Sequence, residues 1–240
     1  MIAWLERASI DPTIELAGRA VPIELKRHPR AKRLTLRLAP DGGSVRITLP
    51  QWCPSADAIE FARARQDWLE TQLAKIPQTV DPVARGTVRY RGQDISIAWD
   101  ETRPRKPALE GGTIRAGGPS DTLGKRLQRW LEDESLRLIA RDLAVACDMA
   151  GVPVPALKLT RAKRRWGSCS SKGVVRINWR LVQAPDFVRQ SVVAHETAHL
   201  VHFDHSPAFH ALLADIYGGS PARADAWLRE HGRGLYADFG

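Results

Sequence analysis

Hydrophobic and polar residues alternate along two short segments near the start of the chain. Leucines occupy every second position of residues 34–38, and apolar residues do the same in residues 45–49, after an Asp-Gly-Gly sequence at residues 41–43. A period of two places successive side chains on opposite faces of a strand, and a Gly-rich break between two such segments is typical of a hairpin turn. The pattern therefore predicts a β-hairpin that ends at Pro50.

A helix and a second hairpin are predicted next. Ser55 is a suitable N-cap for a helix that runs to about Lys75, and the apolar residues within it, including Trp68, are expected to form its buried side. Residues 88–99 then alternate again around a turn at residues 91–93. This second alternation predicts another hairpin.

The second half of the chain contains the longest helical pattern. Apolar residues recur on one face along residues 121–150, and a glycine follows. Alternation at residues 157–160 and 174–179 predicts two strands, and the segment between them is polar, basic and rich in Ser and Gly. Two later helices are expected to begin after the capping residues Ser206 and Ser220, each of which precedes a proline.

The order of these elements predicts an α+β fold. An N-terminal region rich in β-hairpins, with one helix, is followed by helices packed on a small sheet. Residues 101–112 are predicted to form a loop and residues 113–115 one more short strand, and the Gly and Pro residues at 117–120 are typical of a domain boundary. We therefore predict a leader, a β-rich domain and a second domain, at residues 1–19, 20–118 and 119–240.

The pattern H-E-x-x-H lies on a helix that is predicted to begin near Pro185. Asp186 is a suitable N-cap for this helix, and three valines before the motif give it an apolar stripe. His195 and His199 are four residues apart, so one helical turn places both imidazoles on the same face. Both imidazoles can then reach one metal ion.

A zinc ion in a hydrolytic site takes three protein ligands and leaves a fourth position for water. His205 is the predicted third ligand of a single Zn²⁺ ion, which requires the chain to turn after His202. His202 is the alternative ligand, because it lies three residues after His199 on roughly the same helical face. Glu196 is the predicted general base that takes the proton from the zinc-bound water.

The composition is that of a globular protein without a membrane helix. The chain has 240 residues, 43% of them hydrophobic, and no apolar run approaches the roughly 18 residues of a membrane span. The N-terminal residues are too acidic for a signal peptide. The three cysteines are few and widely spaced, which argues against a disulfide framework and predicts a reducing, cytoplasmic location.

The net charge is +9, and basic residues form two clusters, at residues 26–33 and residues 161–165. Such clusters can neutralise the phosphates of nucleic acid or nucleotides, or can form a solvated basic surface. Four residues at the end of the second cluster and just after it are predicted to bind substrate: Arg164, Arg165, Trp166 and Ser168. The alternative is structural, with Trp166 anchoring the loop and the serines bonding to backbone groups. Cys169 is not predicted to be a nucleophile, because no base is marked for its thiol.

Three segments together resemble a known family. They are RRWGSCSSKG at residues 164–173, INWRL at residues 177–181 and HETAHLVHFDH at residues 195–205. The chain from about residue 20 is similar to the YgjP-like family of zincin-fold metallopeptidase homologues, relatives of the WLM and SprT-like proteases. The resemblance implies a zincin-like catalytic domain, a zinc held by His195, His199 and His205, and Glu196 as the general base.

The spacing of the histidines also resembles that of the metzincins. In their pattern a glycine stands three residues after the second histidine, and here that position is His202. No methionine follows Met149, so the chain lacks the Met-turn of that group. A histidine must therefore adopt the turn that a glycine would form easily.

Three functions agree with these observations. The first is a zinc-dependent metallopeptidase that hydrolyses a peptide or protein. The second is a metal-dependent nucleoside-triphosphate pyrophosphatase of UTP type, in which the basic cluster at residues 161–165 would bind the polyphosphate. The third is a basic module that associates with nucleic acid, or a SprT-like protease acting on DNA-bound protein. The sequence leaves the substrate and the oligomeric state open.

Overall fold

The computed structural model describes residues 12–76 and 80–239, and it confirms the predicted α+β fold. Seven α-helices and three small mixed sheets lie in this part of the chain. The chain divides into two compact units, Met1–Pro77 and Gln78–Gly240. Within the described residues, no helix combines the length and the apolar character that a bilayer crossing requires.

The first unit contains a four-stranded sheet in the order β1-β2-β4-β3. Its strands are Thr13–Leu16 (β1), Arg19–Arg27 (β2), Thr35–Leu38 (β3) and Val45–Leu49 (β4). β3 and β4 are antiparallel, with Leu38 opposite Val45, which confirms the first predicted hairpin. Val45, Ile47 and Leu49 are fully buried, so the face that the alternation marks as apolar is the face that meets the core.

The sequence pattern assigns residues 13–19 to a leader, whereas the structure places them in the sheet. β1 pairs antiparallel with β2 along its whole length. Ala17 and Gly18 connect the two strands with positive φ angles of 48° and 74°, as a tight two-residue hairpin requires. Ile14 and Leu16 are buried in the core of this unit. Residues 1–11 of the predicted leader lie outside the described residues.

The helix that was expected from Ser55 to about Lys75 is two helices. They are Ser55–Arg63 (α1) and Gln66–Ala74 (α2), and the break lies at Ala64 and Arg65. No glycine or proline marks this break, so the apolar periodicity predicted one continuous helix. Trp68, expected on the buried side, is 46% exposed, because the neighbouring Leu69 is the residue of α2 that packs into the core.

The second unit begins with a short helix and a four-stranded sheet. They are Pro82–Arg85 (α3), Thr87–Tyr90 (β5), Gln93–Trp99 (β6), Ala108–Glu110 (β7) and Thr113–Ala116 (β8), and the sheet order is β5-β6-β8-β7. The hairpin of β5 and β6 and the strand β8 confirm their predictions. β7 lies inside the predicted loop 101–112. Its three residues are all exposed, so it shows no alternation of burial.

The longest helix connects this sheet to the rest of the second unit. It is Leu123–Ala150 (α4), and it ends at Gly151 in the left-handed conformation, as the sequence predicted. Val88, Ile114 and Leu127 share one buried cluster, so the β5–β8 sheet packs directly on α4. The sequence predicted a domain boundary at residues 118–119, whereas the compact units divide between residues 77 and 78. The shared cluster explains the difference.

A smaller sheet and three helices complete the second unit. They are Leu157–Thr160 (β9), Gly167–Cys169 (β10), Val175–Asn178 (β11), Asp186–Ala198 (α5), Pro207–Tyr217 (α6) and Pro221–His231 (α7). The sheet order is β10-β11-β9, and β10 lies within the segment that was expected to be a loop. Ser206 and Ser220 cap α6 and α7 through their hydroxyl oxygens, which confirms both predicted helix starts.

Ionic contacts fix the start of α5. Asp186 is the first helical residue, and Pro185 is the N-cap in place of the Asp186 that the sequence predicted. The Asp186 carboxylate instead accepts hydrogen bonds from Arg91 and Arg189. Arg189 is only 2% exposed and also donates to Asp142 on α4 over 2.7 Å. A buried guanidinium with two carboxylate partners holds α5 in register with α4.

Candidate metal centre

The two histidines of the H-E-x-x-H pattern lie on one face at the end of α5. His195 is in the last turn, and His199 is the C-cap residue, with its backbone N–H donating to the carbonyl oxygen of His195. The Nε2 atoms of the two imidazoles are 3.2 Å apart. One turn of helix has therefore brought both ring nitrogens to the same point, as the spacing predicts.

The chain turns immediately after His199. The carbonyl oxygen of His202 lies 3.0 Å from Nδ1 of His199. Because a carbonyl oxygen only accepts, Nδ1 must carry the proton, and the Nε2 of His199 is left with a free lone pair. His202 thus contributes its backbone to this site, and its imidazole is not one of the clustered groups.

The turn brings His205 back to the two helical histidines. Its Nε2 is 3.3 Å from the Nε2 of His195. The ligand atoms of His195, His199 and His205 all lie within 4.8 Å of one another, and no other group of three or more potential metal ligands was found among the described residues. The chain reversal that the sequence required for His205 is present.

Phe209 lies beneath the three imidazoles and was not predicted from the sequence. Its ring is fully buried, and its centroid is 5.0, 4.7 and 4.8 Å from the rings of His195, His199 and His205. The ring packs against one side of each histidine and so restricts their rotation. The predicted start of α6 at Ser206 placed Phe209 in the first turn after the third histidine, but no periodic pattern indicated that it faces the site.

The chemistry of these residues fits a divalent metal ion. Three ring nitrogens converge without a carboxylate among them, an arrangement that would be unfavourable if the imidazoles were protonated. Burial, followed by the neighbouring His199 and His205, lowers the pKa of His195 to about 4. His195 is therefore neutral, as a ligand must be, and three imidazoles suit zinc or a similar ion with one coordination position left open.

Glu196 lies next to the first histidine and is nearly enclosed. It is 6% exposed, and its burial raises its pKa to about 7, although a hydrogen bond from the backbone N–H of Cys169 and the charge of Arg165 oppose the rise. A carboxyl group with a pKa near neutrality can both accept and release a proton under ordinary conditions. Burial raises the pKa of the Cys169 thiol, and the charge of Glu196 raises it further.

Gly167 on β10 is the residue that Glu196 packs against. A Cβ atom at this position would lie 2.6 Å from Cγ and 2.8 Å from Cδ of Glu196. The absence of a side chain is therefore what lets the strand lie against the carboxylate. The glycine between Trp166 and Ser168 is visible in the sequence, but no role was predicted for it.

A cavity of about 350 Å³ opens beside Glu196 and His195. Its other walls are largely apolar and come from α5, α6, α7 and the segment before β10. They include Val192, Leu213, Pro221, Ala224, Leu228 and Trp166. The contribution of α7 was not predicted, because that helix is remote in sequence from the H-E-x-x-H pattern.

The four predicted substrate-binding residues are not equivalent in the structure. Trp166 lines the cavity, and Arg165 is close enough for its charge to act on Glu196. Arg164, Arg165 and Ser168 are not part of the cavity wall. Trp166 also packs against Tyr236, with ring centroids 5.8 Å apart, so it has the anchoring contact that the structural alternative predicted.

Comparison with known proteins identifies one family. A family model described as YgjP-like, metallopeptidase domain matches residues 32–231. The matched segment includes the three clustered histidines, Glu196 and β10. No curated protein and no solved structure is significantly similar to the chain.

Proposed function

The chain belongs to the YgjP-like metallopeptidase family, and on this premise we propose that it is a zinc-dependent peptidase. The observation that carries the proposal is the convergence of three imidazole nitrogens beside one buried carboxyl group, Glu196. Three histidine ligands and an adjacent acid are typical of an open, hydrolytic zinc site and not of a closed, structural one.

The proposed ligands are His195, His199 and His205. When bound, zinc supplies a Lewis acid that lowers the pKa of water and polarises a carbonyl group. The hydrogen bond of His199 to the His202 carbonyl orients that imidazole for the ion, and Phe209 limits the movement of all three rings.

Glu196 is the proposed general base. Its carboxylate takes a proton from the attacking water and returns it to the leaving amine, which requires a pKa near the working pH. Burial between α5 and β10 supports this role, because it raises the pKa of Glu196 to about 7. The N–H of Cys169 holds the carboxylate in place while its proton is gained and lost.

Two features favour a peptide as the substrate. The cavity beside Glu196 has mainly apolar walls, which suit the side chain of a hydrophobic residue. β10 lies at the edge of its sheet, where an extended peptide can add as a further strand. A peptide on β10 would therefore lie beside Glu196 with one side chain directed to the cavity.

The substitution Glu196→Gln tests the proposal. The variant should keep one zinc per chain and lose at least about a hundredfold in peptide hydrolysis, because the amide cannot act as a base. The exposed Glu230→Gln on α7 is the matched control and should have the wild-type rate. Hydrolysis by Glu196→Gln at the wild-type rate would contradict the proposal.

A nucleoside-triphosphate pyrophosphatase is the second candidate, and the position of Arg165 favours it. The charge of Arg165 acts on Glu196, so the same guanidinium could bind a phosphate at the metal centre. This candidate predicts pyrophosphate release from a nucleoside triphosphate that is lost in Arg165→Ala. Peptide hydrolysis without pyrophosphate release would exclude it.

A further inference from the structure

The second unit contains another cavity, of about 380 Å³. Its residues come from the N-terminal part of this unit, whereas those of the metal centre come from the C-terminal part. This cavity is formed by the loop before β7 and the N-terminal half of α4. Its lining residues are Arg105, Lys106, Pro107, Arg126, Arg129, Trp130 and Asp133. None of them belongs to the candidate metal centre, and its volume falls in the range of sites that bind small molecules.

Arg126 fixes the loop that forms one wall of this cavity. Its guanidinium donates to the carbonyl oxygens of Arg105 over 2.8 Å and Pro119 over 2.6 Å, and also to that of Gly117. A Cβ atom on Gly117 would collide with the backbone of Arg103, so the loop is tightly packed at this point. The wall is therefore held in place without a ligand.

The charge of the cavity is strongly positive. Arg105, Lys106 and Arg129 are exposed, and no ion pair of these three side chains is found within the described residues. Asp133 is the one carboxylate in the cavity wall. Three cationic side chains around one open cavity make an anion the complementary ligand.

The apolar part of the cavity restricts the ligand further. Pro107 is buried and Trp130 is 7% exposed, with its ring packed against Tyr90 at a centroid distance of 5.2 Å. The ring is thus fixed as an apolar part of the cavity wall. A small anion alone would leave this apolar wall uncovered, whereas an anion attached to a larger organic group would contact both.

We propose that this cavity binds the phosphate group of a nucleotide, with Lys106 and Arg129 as the main charged contacts and Arg105 at the rim. Lysine and arginine are the side chains that bind phosphate in proteins, as a point charge and a planar fork respectively. The phosphate has two sources, a free nucleotide or the backbone of a nucleic acid. This inference does not depend on the proposed peptidase activity.

Titration calorimetry on the full-length, zinc-loaded protein tests the proposal. The probes are inorganic pyrophosphate, adenosine triphosphate and a single-stranded oligothymidylate, each measured at low and at physiological salt. The test variant is Lys106→Gln with Arg129→Gln, which leaves Arg126 and the loop intact. The control is Lys158→Gln with Arg229→Gln, which removes the same two charges at exposed positions outside the cavity.

For each probe that the wild type binds, the test variant should bind at least about tenfold more weakly than the wild type. The affinity of the control variant should be within about twofold of the wild-type affinity. Tight binding of adenosine triphosphate identifies a free nucleotide, and binding of the oligonucleotide alone identifies a nucleic-acid backbone. Equal affinities in the wild type and the test variant would overturn the proposal, since phosphate would then bind elsewhere, such as at the metal centre. Absence of binding for all three probes would overturn it as well.

Discussion

Gly167 and Glu196 are packed so closely that no side chain fits between them: a Cβ atom on Gly167 would lie 2.6 Å from Cγ of Glu196. The strand β10 and the helix α5 meet at this contact, and the Cys169 N–H bonds to the same carboxylate. The position of the proposed base is thus set by the backbone of a neighbouring strand.

The substitution Gly167→Ala should therefore reduce catalysis without removing the metal. The added methyl group must displace the Glu196 carboxylate, and a displacement of about 1 Å costs roughly a hundredfold in rate. Gly124→Ala on α4 is the control, because its Cβ would meet only Val83 at 3.9 Å. Zinc content and peptide hydrolysis are measured together, and an unchanged rate in Gly167→Ala would contradict the proposed role of Glu196.

The ring of Phe209 is expected to increase the affinity for the metal, in addition to stabilising the hydrophobic core. Replacing a buried phenylalanine by alanine destabilises a protein by about 3–5 kcal/mol, so Phe209→Leu is the more informative variant. We expect Phe209→Leu to fold and to bind zinc more weakly, because the three imidazoles lose their common support.

A competition titration with a zinc chelator measures this effect. Ile216→Val, two turns further along α6 and also buried, is the control for a small loss of core volume. Equal zinc affinity in Phe209→Leu and Ile216→Val would show that Phe209 has only a packing role.

The stability of the second unit should depend on pH through Asp186. Burial alone would raise the pKa of this carboxyl, but hydrogen bonds from Arg91 and Arg189 lower it below its ordinary value of 3.8. A carboxyl whose pKa is lower in the folded state stabilises the fold above its unfolded pKa, and this contribution is lost as the pH falls through the folded pKa.

The variant Asp186→Asn should thus be less stable than the wild type by about 2 kcal/mol at pH 7, and the difference should shrink below pH 4. Urea unfolding at the two pH values measures it. Asp215→Asn on the exposed side of α6 makes the same charge change and should have little effect. A difference that is constant with pH would contradict the ionic origin of the contribution.

The cavity beside Glu196 is expected to select the substrate side chain. A larger residue at Val192, which is half-buried in the cavity wall, should reduce the space for a bulky side chain. We expect Val192→Phe to shift cleavage of a peptide library from large to small apolar residues, while the exposed Val154→Phe leaves the preference unchanged. Mass spectrometry of the products measures the preference, and an identical profile for the two variants would contradict the assignment of the cavity.

Local sequence patterns predicted most of the helices and strands, but they did not predict which of these elements pack against one another. The alternation in residues 34–49 and 88–99 and the caps at Ser206 and Ser220 each act within a few residues, so the sequence alone identified these elements. The break between α1 and α2 has no glycine or proline to mark it, and β7 has no buried side. The sequence pattern therefore predicted neither the helix break nor the strand β7.

The site shows the same division between local and distant information. The spacing of His195 and His199 follows from one turn of helix, and the need for a reversal before His205 follows from the reach of the chain. Phe209 and Gly167 were missed because their roles depend on which elements meet in space. The carbonyl of His202 could not be predicted either, since a backbone group leaves no mark on the sequence.

A comparison of His205→Ala with His202→Ala, by zinc analysis and X-ray absorption spectroscopy, tests the proposed metal centre most directly. The wild type should hold one zinc ion with three imidazole nitrogens, since three ring nitrogens converge at the centre. His205→Ala should lose most of its zinc, whereas His202→Ala should retain it, because alanine keeps the backbone carbonyl that orients His199. Retention of zinc in His205→Ala together with its loss in His202→Ala would contradict the proposed centre.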